Sequence, residues 1–240
     1  MRTIIFIFIQ LMLLQTVHAA VTMAGTRVIF PAEVADKTIQ LKNNSEQPFF
    51  VQMWVSDQLE NSNKNQPSDF VVNPQFFKMS GNSGQAVRLF YSSHKVLPKD
   101  RESLYYLNFK QIPALEKDKS DQNKLVLVVT SKFKILYRPK TITSKIEDLP
   151  KNLSYTISSD QVSSFITIDN PTGYYANLTQ IFFDHSGKTT EVENVDMIPP
   201  FSSKKFNLGK KINKNTLSNI SVTYINDYGA YLKYQIKEKP

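Results

Sequence analysis

The sequence predicts an all-β protein made of two immunoglobulin-like β-sandwiches, and three observations lead to this prediction. Short apolar runs with a period of two residues recur along the chain, separated by residues typical of turns. No extended stretch shows the 3.6-residue period of an amphipathic helix. The runs also fall into two series of about seven, and a length of 240 residues suits one large or two small domains.

Residues 1–19 have the pattern of a secretory signal peptide. Arg2 provides a positive charge, and an apolar run follows over residues 4–14. Val17 and Ala19 then place small residues where signal peptidase requires them, so we expect cleavage near Ala19. The run is short for a hydrocarbon core about 30 Å thick, which favours cleavage over the alternative of a membrane anchor. No later stretch approaches a membrane-spanning length, so we expect an exported protein without membrane insertion.

The first sandwich is expected over residues 20–140. Its predicted strands are apolar runs at residues 38–41, 49–55, 86–91, 104–109 and 125–137. The intervening residues 42–45, 80–84 and 118–123 have the Lys, Asn, Ser, Gly and Asp content of turns.

The second sandwich is expected over residues 141–240, after a break near Pro139. Residues 141–151 are polar and weakly patterned, which indicates a linker. The predicted strands that follow are residues 154–158, 163–168, 176–183, 189–195, 204–208, 220–225 and 230–236.

Composition argues against an enzyme. The chain has no cysteine, which excludes disulfides, zinc fingers, iron–sulfur clusters and thiol nucleophiles. Seven glycines provide no phosphate-binding loop. After removal of residues 1–19 two histidines remain, His94 and His185, and both lie in turn-like sequence. We therefore predict no catalytic residues, no metal and no cofactor.

The chain is basic. Removing residues 1–19 leaves 28 Lys and Arg against 21 Asp and Glu, a net charge of +7. This balance suits nucleic acid, anionic lipid or an acidic protein partner. An exported protein rarely meets nucleic acid, so we predict no nucleic-acid partner. The lysines are dispersed, and a solvated surface that keeps the protein soluble is the alternative explanation.

The segment 125–129 is unusual because it is apolar on both faces. Leu125, Leu127 and Val129 share one face of a strand, and Val126 and Val128 share the other. A central strand buried on both sides would explain this pattern. An edge strand that reserves one face for another protein would explain it equally well.

Five segments occur in an order and spacing that resemble a known family. They are AGTRVIFP at 24–31, DRESLYYLN at 100–108 followed by IP at 112–113, KILYRP at 134–139, NPTGYY at 170–175 and YINDYG at 224–229. The chain resembles the periplasmic pilus chaperones of the chaperone–usher pathway, which are PapD-like, across nearly all of its mature length. The short loop at 114–124 and the missing cysteine pair are similar to the short-loop subclass.

The resemblance implies two immunoglobulin-like domains set at an angle, with a cleft between them. It also implies a periplasmic chaperone that binds pilus subunits by donor-strand complementation and delivers them to an outer-membrane usher. Each subunit lacks the last strand of its own sandwich, and the chaperone lends one. The residues that match the donor positions are Asn123, Leu125, Leu127 and Val129.

Two further sets of residues match functional positions of that family. Arg27 and Lys134 match the pair that anchors the C-terminal carboxylate of the subunit. The charged residues Glu102, Arg138 and Asp227 match an interdomain network, with three unrelated surface charges as the alternative.

Three questions stay open at the level of sequence. Strict alternation places Lys134 on the face opposite Leu127, so either a bulge or the strand's twist must bring it to the cleft. An exported β-sandwich adhesin or pilus subunit is the alternative function, although the two full strand sets disfavour it. Self-association of the free protein would cover the hydrophobic strand, and the sequence does not decide it.

Overall fold

The computed structural model describes residues 20–57, 68–92, 95–114, 125–209 and 211–239. Within these ranges the chain forms two β-sandwiches in succession. The strands of the first sandwich are β1 Val21–Met23, β2 Arg27–Pro31, β3 Asp36–Asn43, β4 Phe49–Ser56, β5 Phe70–Asn73, β6 Phe76–Met79, β7 Gly84–Tyr91, β8 Ser103–Pro113 and β9 Val129–Arg138.

Two sheets enclose the first core. One sheet has the strand order β1-β3-β7-β5, and the other has the order β2-β9-β8-β4-β6. Alternate residues of each strand point inward, as Val51, Met53 and Val55 of β4 do with at most 5% of their surface exposed. A two-residue apolar period places such side chains on one face of a sheet, so the sequence pattern and the burial agree.

The second sandwich repeats this architecture. Its strands are β10 Ser154–Ser159, β11 Ser164–Asn170, β12 Leu178–His185, β13 Lys188–Glu191, β14 Ser202–Asn207, β15 Leu217–Ile225, β16 Tyr231–Gln235 and β17 Lys237–Glu238. The sheet β14-β11-β10-β17 packs against the sheet β13-β12-β15-β16. Ile166, Ile168, Ile181 and Val222 are fully buried between them.

The segment between the sandwiches is more structured than the sequence predicted. A linker was expected over residues 141–151, but a 3₁₀ turn covers Ile146–Asp148 and a single helical turn, α1, covers Leu149–Asn152. Leu149 and Leu153 are each 2% exposed and belong to the second core. One helical turn places two residues four apart on the same side, which is why this polar segment still packs.

Strand β9 begins later than predicted. The sequence indicated a strand over residues 125–137, whereas β9 is Val129–Arg138 and residues 125–128 are not in a strand. The ladder with β8 ends where Gln111 lies opposite Val129. Continuing this register would place Leu127 opposite Pro113, which has no N–H to donate. Leu125 and Leu127 are therefore not strand residues in the free protein.

Several predicted features lie outside the described residues. They are the signal peptide at 1–19, the turn at 118–123 together with Asn123, and His94.

Candidate functional site

The first half of strand β9 has one open edge. On one side β8 pairs with β9 from Val129 to Tyr137. On the other side β2 pairs with β9 only at residues 134–138. No described strand lies along this second edge at residues 129–133. An edge of this kind presents backbone N–H and C=O groups to a further strand.

The segment that leads into this edge is hydrophobic and exposed. Leu125, Leu127 and Val129 are 86%, 68% and 53% exposed, and Val126 and Val128 are 39% and 45% exposed. The explanation of the pattern by a strand buried on both faces is therefore wrong. A run of exposed large apolar residues next to an open edge marks a surface for another protein.

Lys134 reaches the second domain without a bulge in β9. The residue pairs between β8 and β9 keep a single register from Val129 to Tyr137. Phe133 and Ile135 contact the first core. Lys134 lies between them and therefore points from the opposite face of the sheet. Of the two explanations left open by the sequence, a bulge is excluded.

Arg27 and Lys134 lie side by side in the cleft. They are opposite each other in the parallel ladder of β2 and β9. Nη1 of Arg27 donates to the main-chain oxygen of Ile225 at 3.2 Å, and Nζ of Lys134 donates to Oδ1 of Asn177 at 3.2 Å. Both acceptors are uncharged and belong to the second domain. Nε of Arg27 is buried without a hydrogen-bond partner.

The electrostatics of this pair favour an anion. Burial lowers the pKa of Lys134, and the positive charge of Arg27 lowers it further. Burial also lowers the pKa of Arg27 below its ordinary value. Among the described residues neither cation forms an ion pair with a carboxylate, so a bound anion would relieve their mutual repulsion.

The predicted charged network is assembled across the domain interface. Nε of Arg138 donates to Oε1 of Glu102 at 2.7 Å, and its two terminal nitrogens donate to the carboxylate of Asp227 at 2.6 and 2.9 Å. The other oxygen of Glu102 accepts the N–H of Tyr175 at 2.8 Å. The N–H of Glu102 in turn donates to the oxygen of Gly173 at 2.8 Å. The three charged residues are therefore one network, and the alternative of unrelated surface charges is wrong.

Because this network is buried, its charged side chains need to stay paired with one another. The Glu102 side chain is 1% exposed, and burial raises its pKa while Arg138 and the Tyr175 N–H oppose that rise. Burial alone would lower the pKa of Arg138, but hydrogen bonds from Arg138 to Asp227 and the charge of Glu102 raise it above its ordinary value. Arg138 thus stays charged, and removing it would leave a buried carboxylate without a counterion.

Sequence reasoning missed the groups of the second domain that contact the cation pair. Asn177 was notable in the sequence only as part of an Asn-X-Thr triplet, yet its side chain is 5% exposed and accepts from Lys134. Ile225 contributes a main-chain oxygen, which no side-chain pattern reveals. Asn177 lies two residues after the quoted NPTGYY segment and Ile225 lies within YINDYG, so their position at these motifs was the available signal.

The described residues contain little that could serve catalysis or metal binding. His185 ends strand β12 at a hairpin turn, and its Nδ1 lies 2.9 Å from the hydroxyl of Thr216. Across the described ranges, no group of three or more potential ligands is placed to hold a metal ion. In the same part of the chain, no helix is long and apolar enough to cross a membrane.

These features define a class of protein. An open strand edge with exposed leucines lies beside a cleft whose two cations have no acidic partner in the described ranges. This combination suits a protein that completes the sheet of another protein. A family model described as the N-terminal domain of the PapD pili and flagellar-assembly chaperones matches residues 20–143. A second, described as the C-terminal domain of the PapD pili assembly chaperone, matches residues 148–236. The chain belongs to the PapD family of pilus-assembly chaperones.

Individual relatives agree with this assignment. The chain is 31% identical to chaperone protein FimC of Escherichia coli (strain K12), over 94% of this chain and 87% of the relative. It is 30% identical to chaperone protein MrkB of Klebsiella pneumoniae, over 90% of each chain.

Solved structures of chaperones have the same two-domain fold. The crystal structure of the YadV chaperone has a TM-score of 0.77 and 26% identity, and the match covers 90% of this chain and 98% of that one. The CupB2 chaperone of Pseudomonas aeruginosa has a TM-score of 0.71 and 27% identity, with 90% and 99% covered. The predicted all-β fold and the predicted family are confirmed.

Family membership also decides between the functions that the sequence left open. Pilus-assembly chaperones are not enzymes, as predicted. The alternative of an exported adhesin or pilus subunit is wrong, because both halves of the chain match chaperone domains. A periplasmic location follows from the family.

Proposed function

We propose that this protein binds pilus subunits in the periplasm by lending them a β-strand, and that it delivers them to an outer-membrane usher. Residues 1–19 act as a signal peptide that is cleaved near Ala19. Residues 20–140 form the domain that carries the donor strand, and residues 141–240 form the second domain. The observation that carries the proposal is the open, hydrophobic edge of β9.

The donor segment comprises Asn123, Leu125, Leu127 and Val129. A subunit strand that pairs with the open edge would extend the ladder backward from Val129 through residues 125–128, which have no strand partner in the free protein. Burying three Leu or Val side chains contributes roughly 1.5–3 kcal/mol each, so about 5–9 kcal/mol in total before ordering of the segment is counted. This is enough to supply most of the binding free energy.

Arg27 and Lys134 bind the C-terminal carboxylate of the subunit. The two cations lack an acidic partner among the described residues, and Nε of Arg27 lacks any hydrogen bond. A carboxylate accepts up to two hydrogen bonds on each oxygen, so one group can satisfy both residues. Because the cations lie on β2 and β9, binding there also fixes the register of the donated strand. A slip of one residue would turn Leu127 away from the subunit.

Glu102, Arg138 and Asp227 fix the angle between the two domains. The network joins Glu102, which precedes β8, and Arg138 of β9 in the first domain to the turn after β15 of the second. The acceptors that hold Arg27 and Lys134 belong to the second domain. The same orientation therefore keeps both cations in place.

Co-purification with a co-expressed pilus subunit from the same organism tests the anchor. Wild-type protein is expected to retain the subunit, whereas Arg27→Ala and Lys134→Ala are expected to fold normally and lose it. Loss of a buried, paired charge costs about 3–5 kcal/mol, which corresponds to at least a hundredfold weaker binding.

Lys37→Ala is the matched control, because Lys37 is an exposed lysine of β3 in the other sheet. It should retain the subunit as wild type does. Wild-type yields of subunit with either cleft variant would contradict the anchoring role.

A further inference from the structure

We propose that Tyr231 of the second domain is a third contact of the bound subunit terminus, with its hydroxyl donating a hydrogen bond to the carboxylate beside Arg27. The inference rests on the proposed function, because it takes the cation pair to be a carboxylate site. Its occupant is the last residue of a pilus subunit, with a free α-carboxylate.

Strand pairing places Tyr231 in the strand next to the residue that accepts a hydrogen bond from Arg27. Tyr231 is the first residue of β16 and lies directly opposite Ile225 of β15. The main-chain oxygen of Ile225 is the acceptor for Nη1 of Arg27. Side chains directly opposite each other in an antiparallel pair stand on the same face, with Cβ atoms about 4.5–5.5 Å apart. Tyr231 therefore stands one strand away from the carbonyl through which Arg27 meets the second domain.

The electrostatic environment of Arg27 agrees with this placement. Burial lowers the pKa of Arg27. Asp227 and Glu102 of the interdomain network oppose that shift most, and Tyr231 opposes it least.

The turn before Tyr231 is held in one conformation by Asn226. Oδ1 of Asn226 accepts the N–H groups of Tyr228 at 3.0 Å and Ala230 at 2.9 Å, and the oxygen of Asn226 accepts the N–H of Gly229 at 3.0 Å. Gly229 has a φ of 82°, which side chains rarely tolerate. The hairpin is therefore rigid before any subunit arrives.

The same turn is attached to the first domain. Asp227 accepts two hydrogen bonds from Arg138, and a Cβ atom at Gly229 would lie 3.1 Å from Oγ1 of Thr26. Thr26 immediately precedes Arg27 in the chain. The main chain of the hairpin that carries Tyr231 is thus fixed relative to Arg27. Only the side-chain conformation of Tyr231 then has to be ordered on binding.

The side chain of Tyr231 is largely exposed and does not belong to the second core. It is 69% exposed, whereas the neighbouring Tyr234 packs against the second core. A tyrosine with an apolar ring and a polar tip is a frequent anchor at protein interfaces. With Tyr231, the cleft offers hydrogen-bond donors from both domains to a single carboxylate, together with the unpartnered Nε of Arg27.

Tyr231→Phe tests the proposal, because it removes only the hydroxyl. The probes are an acetylated hexapeptide of alternating Thr and Val with a free carboxylate and the same peptide with a C-terminal amide, titrated into the mature chain by NMR. Wild type is expected to prefer the acid. Tyr231→Phe should weaken binding of the acid roughly tenfold, the effect of one hydrogen bond to a charged group, and leave binding of the amide unchanged.

Tyr228→Phe is the control, since Tyr228 lies in the same hairpin and is 95% exposed. It should keep the full preference for the acid. If Arg27→Ala loses this preference and Tyr231→Phe keeps it, the role of Tyr231 is contradicted and the proposed function stands. If wild type shows no preference, or Arg27→Ala keeps it, the carboxylate site itself is contradicted.

Discussion

Lys134 lies in the cleft although burial and the charge of Arg27 both disfavour its charged form. Lys134 is partly buried, it faces Arg27, and its described hydrogen-bond acceptor is the neutral Asn177. Burial and the neighbouring charge both lower its pKa, which means that its charged form opposes folding. A residue that lowers stability and is kept in a cleft is typical of a binding site.

We predict that Lys134→Met stabilises the free protein at pH 7 while abolishing subunit capture. Methionine has a similar length and no charge, so the penalty is removed with little change in packing. The expected rise in melting temperature is roughly 1–3 °C by differential scanning calorimetry. A clear fall in melting temperature would show that Lys134 is a structural residue.

The effect of Lys134→Met should depend on pH. The pKa of Lys134 in the folded state lies below its ordinary value of 10.5. The destabilisation caused by burying the charge of Lys134 is therefore complete below the pKa of the folded state. It disappears as the pH rises to the ordinary pKa that Lys134 has in the unfolded chain. The stability difference between wild type and variant, measured from pH 7 upward, should shrink as the pH approaches 10.5. A difference that stays constant over this range would contradict burial of the charge as its cause.

At the residue scale the sequence named the charged groups but not their partners. Arg27, Lys134 and the three network residues could be predicted because they lie in recognisable segments. Asn177 could not, because its contact with Lys134 depends on how the residue before β12 in one domain meets β9 of the other. A contact between residues that far apart in sequence has no local signature.

Strand β9 is the element on which the function depends. Its unusual apolar pattern could be predicted from the sequence, but its limits and its open edge could not. The apolar pattern on both faces of residues 125–129 indicated an unusual strand. The pattern did not show that β2 would cover only residues 134–138, nor that the ladder would stop at Gln111. Those limits are set by the register with two other strands. The strands β5 and β6 were not predicted either, because a run of four residues shows too little periodicity.

We predict that Leu127→Glu abolishes capture of subunits without unfolding the free protein. Leu127 is 68% exposed, so a charge there is solvated in the free state, but it would be buried in the complex. Size-exclusion chromatography of the co-expressed pair, with circular dichroism of the free variant, measures both effects.

Thr130→Glu is the matched control, because Thr130 is exposed in β9 and has the parity opposite to Leu127. It should capture subunits better than Leu127→Glu does. Equal loss in both variants would indicate that any charge on the edge prevents binding and that the face of the strand does not matter.

At the scale of the whole molecule, a largely buried charged network joins the two sandwiches. Arg138 links Glu102 to Asp227 across the interface, and its guanidinium lies 5.1 Å from the centre of the Tyr174 ring. Paired carboxylates and guanidinium groups constrain direction as well as distance. This suits a protein whose cleft must keep one shape.

We predict that Arg138→Ala destabilises the protein by about 3–5 kcal/mol, because it leaves the carboxylate of Glu102 buried and unpaired. Asp227→Asn keeps the geometry, and the Asp227 side chain is 26% exposed, so its cost should be about 1 kcal/mol. Urea unfolding measures both values, and small-angle scattering measures the change in domain orientation. Equal and small costs would mean that the network does not fix the angle.

The sequence predicted more of the two sandwiches than of the segment that joins them. The period-two runs predicted strands in both sandwiches because each sheet has one face on a core. The segment 141–151 was predicted as a linker because it is polar and weakly patterned, yet Leu149 within it and Leu153 just after it are buried. Their burial depends on the second core, which a local pattern does not show.

Amide hydrogen exchange along residues 125–133, with and without a bound pilus subunit, tests the central claim most directly. If this segment is lent to a subunit, its amides facing the open edge should exchange rapidly in the free protein. They should become strongly protected in the complex, because they then donate to a new strand. Slow exchange in the free protein, or exchange that the subunit leaves unchanged, would contradict strand donation by β9.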